Sequence, residues 1–465
     1  MMLEGPVDLG TVDGRVARAQ ASLERELARL ATKEGREEAR GRDPFGAFRD
    51  VAGQTTFKAL SALEPGPVHA PHRDALLRWV HELLQARVAW DLVLDEADAI
   101  HALDPALRPE LAEHETATPK TFDEAWRALV EAPHPVAADL ALRRVSELAP
   151  RVVGARNELR ARRFEAARRL GLDHPWSLAT TEAATRLPEL ARTVLDATEP
   201  LALELHKDLR RRSGDLSGPA LAIHDAFARD AQEGWPARLT ARWLEDTFRA
   251  LAPRPPRLAC VPSALGGASF LRAAHAWGLS LRLGGVARSL PFALARDVYP
   301  VEAHLVGFSL AVAVSDRVFA RRKLGLMARS ADTHARALAR TLFVALRSLA
   351  AEVLAGMPDR ARADELEELS SRLFGAPLPA DACAAWSYGG LTGRRCIDAP
   401  ARLLAAVRTH GFVRSMVDRF DEDWFDNPRA GMRLSSMAAG PVWSGEVVEA
   451  DSVRVLARAF EEALG

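Results

Sequence analysis

Apolar residues return at helical intervals along almost the whole chain. In "ASLERELARLATKEG", Leu23, Leu27 and Leu30 fall at i, i+4 and i+7, with acids and bases on the remaining faces. The same period recurs in "DALLRWVHELLQARVAWDLVL", "TFDEAWRALVEA", "RNELRARRFEAARRLG", "HARALARTLFVALRSLAAEVL" and "ARLLAAVRTHGFVRSMVDRF". Thr121 before "FDEAW" and Ser177 before "LATTEA" stand where an N-cap hydroxyl accepts from the first free amides of a helix. Period-two alternation is scarce. Only "RLACVPS" and "LSLRLGG" read as short strands, and the second competes with a helical reading. The pattern predicts a mainly α protein with at most a few short strands.

No repeat of fixed length is visible, which argues against a solenoid. The sharpest break is "LAPRPPRLACVP", whose prolines stop any helix. It divides the chain into an N-terminal helical lobe, residues 1–252, and a C-terminal helical lobe, residues 253–465. "GMPDRARAD" and "GAPLPADACAAWSYGGLTGRR" read as further loops.

Composition narrows the class. With 465 residues, 48% hydrophobic and 27% charged, the chain has an ordinary globular balance and length for one large helical body or a few lobes. A net charge of -1 argues against a general attraction to nucleic acid or to an anionic membrane surface. Lysine is confined to Lys33, Lys58, Lys120, Lys207 and Lys323, so arginine supplies nearly all positive charge, which reads as coding bias. Arg156, Arg160 and Arg163 share one face of a basic stretch. Glu158 and Glu165 interrupt that stretch and no aromatic platform accompanies it, so a solvated helix face is expected.

The first twenty residues contain no apolar h-region, and the longest apolar run, Leu305 to Val314, is well short of the roughly 18 to 20 residues that span a bilayer. Cys260, Cys383 and Cys396 are few, odd in number and without CxxC spacing. Reduced thiols in a cytoplasmic protein are the expectation.

Common catalytic motifs are missing: there is no GxSxG, no GxxxxGK[ST] and no GxGxxG after a strand. "GGLTGRR" is Gly-rich and basic but reads as a surface turn. One string stands out. His275-Ala276-Trp277-Gly278-Leu279 has the frame of the HExGH zinc helix, in which both imidazoles share one face and the glutamate takes a proton from metal-bound water. Here the glutamate is Ala276 and the second histidine is Leu279. Taken alone, His275 reads as an ordinary histidine on a partly apolar helix.

Downstream, "RDVYPVEAHLVGFSL" places Glu302 27 residues after His275. This string resembles the third-ligand region of thimet oligopeptidase, oligoendopeptidase F and their relatives. "RFEAARRLGLDHPWSLAT" and "VDRFDEDWFDNPRAGMRL" resemble two further segments of that family, in the family's order. The resemblance spans roughly residues 150 to 440 and implies a two-lobed helical oligopeptidase fold around a cleft, with any short strands near the former zinc site. It maps the first zinc histidine to His275 and the glutamate ligand to Glu302, with Ala276 and Leu279 at the lost base and ligand. A shifted register, "LRAAH" ending at His275, puts Arg272 in place of the base, and Gly278 favours the first register.

His304 cannot join Glu302 on one ion, because side chains two residues apart on a helix point about 200° apart. The family's substrate-orienting tyrosines also lack equivalents, since the chain has only Tyr299 and Tyr388. The resemblance therefore implies a non-catalytic pseudopeptidase with no metal and no cofactor, binding a peptide or a partner protein, such as an active paralogue. The alternatives are an enzyme of different chemistry using Arg272, His275, Glu302, His304 or Tyr388, and a helical scaffold unrelated to peptidases. His275 and Glu302 are expected to face each other. Without a metal, Glu302 needs a cation, expected to be His275 in its charged form or Arg272.

Overall fold

Thr121 shows how locally the helices are written. Its hydroxyl accepts from the Glu124 amide while the Glu124 carboxylate accepts from the Thr121 amide, closing a capping box on the helix Phe122–Val130. Ser177 behaves otherwise. Its hydroxyl accepts from the His174 amide inside a turn, and the next helix begins only at Ala183. The computed structural model describes residues 7–30, 32–101, 121–180, 183–213, 218–227, 240–252, 267–358, 362–388, 395–441 and 450–465. Among these residues there is no strand. "LSLRLGG" continues the helix Gly267–Gly284, as its competing period allowed, whereas "RLACVPS" and the proline break near residue 252 lie outside the described residues.

The 35-residue helix Pro135–Arg169 forms one side of the body and packs on Phe122–Val130, Ala70–Val88 and Ala380–Tyr388. At the centre, Gly267–Gly284 crosses Val301–Val314, which in turn packs on Arg395–Phe420. The helix Ala328–Gly356 runs between Arg395–Phe420 and Ala183–Ser213. Val301–Val314 is apolar on nearly every side because neighbours enclose it, and no single helix among the described residues is long and apolar enough to cross a membrane.

The basic stretch is not a solvated face. Arg156, Arg160 and Arg163 are all buried. Arg156 donates to the Ala385 carbonyl and lies 3.4 Å from Asp123, Arg160 donates to the Ala355 carbonyl, and Arg163 stands 3.9 Å from Glu82. Ala385 and Ala355 sit in the last turns of Ala380–Tyr388 and Ala328–Gly356, where carbonyls lack intrahelical partners. The device recurs: Arg282 donates to Ala438 and Gly440 at the end of Pro428–Ala438, and Arg347 to Arg372 in the last turn of Ala363–Phe374. Buried arginines thus cap helix ends that are distant in sequence.

Candidate functional site

The site begins at a helix crossing. A Cβ on Gly278 would lie 2.7 Å from the Val306 carbonyl oxygen, and one on Gly307 would lie 2.7 Å from the His275 ring. Only glycine allows Gly267–Gly284 and Val301–Val314 to approach this closely. The glycine that favoured the HExGH-like register therefore has a packing reason of its own.

The crossing presses two imidazoles together. His275 Nε2 and His304 Nδ1 are 3.3 Å apart, with the rings nearly parallel at 21°. Burial, reinforced by the Arg402 guanidinium, lowers the His275 pKa to about 4, so this ring is neutral at pH 7 rather than charged as the sequence suggested. Glu302, on the other side of its helix, is bound by Arg408 at 3.0 Å. Arg272 is turned to Glu131, which also accepts from the Ser269 hydroxyl. The cation on Glu302 is thus Arg408, in place of the expected His275 or Arg272. Glu302 lies against Arg408 and His304 against His275. The Tyr388 side chain lies outside the described residues.

A zinc ion of the type found in HExxH peptidases does not fit these residues. Ala276 offers no base, Leu279 no donor, and Glu302 already carries a guanidinium. His304 supplies a second imidazole beside His275, but a catalytic zinc takes three protein ligands. Among the described residues no group of three His, Cys, Asp or Glu is placed to hold a metal ion.

His275 is also in the wall of a cavity of about 510 Å³. Gly267–Gly284 contributes Ala268, Leu271, Arg272 and His275, one helical face at i, i+3, i+4 and i+7. Phe122–Val130 faces it with Asp123, Trp126, Arg127 and Val130 at the same spacing. Ala328–Gly356 adds Thr341, Ala345, Ser348 and Glu352, and Phe308, Trp386 and Arg402 also line the space. Glu352 is held by Arg402 at 2.8 Å. Ala276, Leu279, Glu302 and His304 do not line the cavity.

No sequence motif singles out Arg127, Ser348, Glu352, Arg402 or Arg408. Arg402 and Arg408 lie in "ARLLAAVRTH", where two arginines in so apolar a helix are the available signal.

No family model matches the sequence, and no curated protein matches it. Solved structures do. A protein from Bacillus anthracis str. Ames described as an oligoendopeptidase F aligns over 93% of this chain and 85% of its own, with a TM-score of 0.53 and 14% identity. A second structure described as an oligoendopeptidase F aligns over 99% of this chain and 97% of its own, with a TM-score of 0.55 and 13% identity. At this identity the likeness is one of architecture. The chain has the helical fold of these oligoendopeptidase F structures.

Proposed function

We propose that the protein is a non-catalytic relative of the oligopeptidases that uses the cavity beside His275 for binding, with a peptide or a segment of a partner protein, such as an active paralogue, as occupant. The observation that carries this reading is the replacement of metal chemistry by internal pairing: Glu302 with Arg408, and His275 with His304. With Ala at 276, no carboxylate stands at that position to take a proton from an attacking water. The cavity beside this pair remains open and has the size of ligand sites in general. The shared fold counts against a scaffold unrelated to peptidases.

The test is elemental analysis of the purified chain together with a peptide-cleavage assay. The expected result is no stoichiometric zinc and no cleavage. One zinc per chain with chelator-sensitive cleavage overturns the reading. A second reading, an enzyme of different chemistry, draws on His275, Ser348 and Glu352 lining one open cavity. Turnover that is lost in His275→Gln at unchanged melting temperature decides for it.

A further inference from the structure

We infer that the cavity takes an uncharged apolar group and turns away both charge and peptide main chain. The inference rests on the binding reading above and specifies which part of an occupant enters. Exposed charge is confined to the edge of the cavity. Asp123, Arg127 and Arg272 line it and are all exposed, so water solvates them and they demand nothing of a ligand. Away from this edge the wall is apolar, with Leu271, Ala311, Leu342, Leu349, Phe374 and Trp386 all buried. Trp126 packs on Trp386 at 5.7 Å between ring centroids. Such a surface rewards an apolar body.

The polar groups set among these residues are already engaged. Glu352 is bound by Arg402 at 2.8 Å, the Thr341 hydroxyl donates to the Ala226 carbonyl at 2.9 Å, and His275 turns Nε2 to His304. The Ser348 hydroxyl is closed off from the cavity. A charge carried inside would lose its water and meet an ion pair that is complete without it.

A main chain meets the same obstacle. Every lining residue lies within a helix, where main-chain groups bond along the helix itself. Among the described residues there is no strand edge for an extended peptide to join. Amides drawn into the cavity would stay unpaired, a cost that an apolar side chain does not carry. A peptide or partner segment therefore lies across the edge, in water, and inserts a side chain. A free apolar molecule presents the same chemistry.

The experiment is a ligand-observed NMR titration with two sets of probes. Dimethyl terephthalate, its monoester and terephthalate share one shape and differ in charge. N-acetyl-tryptophanamide and N-acetyl-glycinamide share a main chain and differ in the side chain. The diester is expected to bind, the monoester to follow it closely with its one charge left in water, and the dianion to bind at least roughly ten-fold more weakly. N-acetyl-glycinamide is expected not to bind. Ala345→Trp, which fills the cavity, is expected to abolish diester binding. Val130→Trp, at a half-buried lining position, takes its place if that variant fails to fold. Binding of N-acetyl-tryptophanamide beside the diester identifies a peptide side chain as occupant, and binding of the diester alone a free apolar molecule. A dianion that binds as tightly as the diester, or binding of N-acetyl-glycinamide, overturns the inference and leaves the binding reading standing. No binding by any probe, or binding untouched by the filling variant, overturns both.

Discussion

Two regions of the molecule bury polar groups, and they treat them in opposite ways. In the first, Arg78 grips Asp297 through Nε and Nη2 at 2.9 and 2.6 Å, both side chains almost wholly enclosed. Tyr299 donates its amide to Asp297 and its hydroxyl to the Pro175 carbonyl, which also accepts from Gln85, and Gln85 in turn meets His81, beside Arg163 and His174. In the second, the wall around His275, Arg127 and the Glu352–Arg402 pair stand beside an open cavity. The first region is closed and joins positions 78 and 297. The second is left open. Enclosed pairs of polar groups mark structure, and polar groups beside a void leave room for a ligand.

Acid should act on both regions and more strongly on the closed one, which holds two such histidines against His275 in the other. Burial lowers His81 to about 3, and His174 to about 4. Both are neutral in the fold and regain a higher affinity for protons on unfolding, so their contribution is complete above about pH 6.5 and is lost as pH falls towards 4 and 3. Melting temperature measured across that window should fall steeply, and the fall should be smaller in His174→Gln. Next, Asp297→Asn should destabilise by about 3–5 kcal/mol in denaturant titration, since it leaves Arg78 buried and unpaired. At the helix crossing, Gly307→Ala should cost about 1–3 kcal/mol, because a methyl group meets the His275 ring. Glu302→Gln should cost about 1–2 kcal/mol, the share of a partly exposed pair, without altering ligand binding. Last, Ser348→Ala should change stability by less than about 0.5 kcal/mol, because its hydroxyl is buried without a hydrogen-bond partner. A large loss of stability in Ser348→Ala would show that the open region is structural too.

These regions also separate what the sequence displayed from what it hid. The helices were legible from period, and Thr121 from its capping box. "RFEAARRLGLDHPWSLAT" and "VDRFDEDWFDNPRAGMRL", which carried much of the family resemblance, turn out to be packing segments. His174 and Trp176 are buried in the first and Trp424 and Phe425 in the second, while a Cβ on Gly431 would meet the Ala250 carbonyl at 2.5 Å. Packing residues preserve architecture, so they pointed correctly to the fold and said nothing of chemistry. The basic stretch misled for a different reason. A face built of Arg156, Arg160 and Arg163 is polar by period, and its partners, the Ala385 and Ala355 carbonyls and the Glu82 carboxylate, lie far along the chain. The partners of Glu302 and Arg272 were hidden likewise: Arg408 and Glu131 lie far along the chain from them.

Those carbonyl acceptors have a consequence for how the molecule meets its solvent. A carboxylate pair weakens as salt rises and dissolves when the acid is protonated. A backbone carbonyl carries no net charge to screen and takes no proton in any physiological range. Arg156, Arg160, Arg282 and Arg347 therefore rivet four helix ends with contacts that are largely indifferent to ionic strength. Brine that loosens the surface ion pairs should leave this internal stitching untouched.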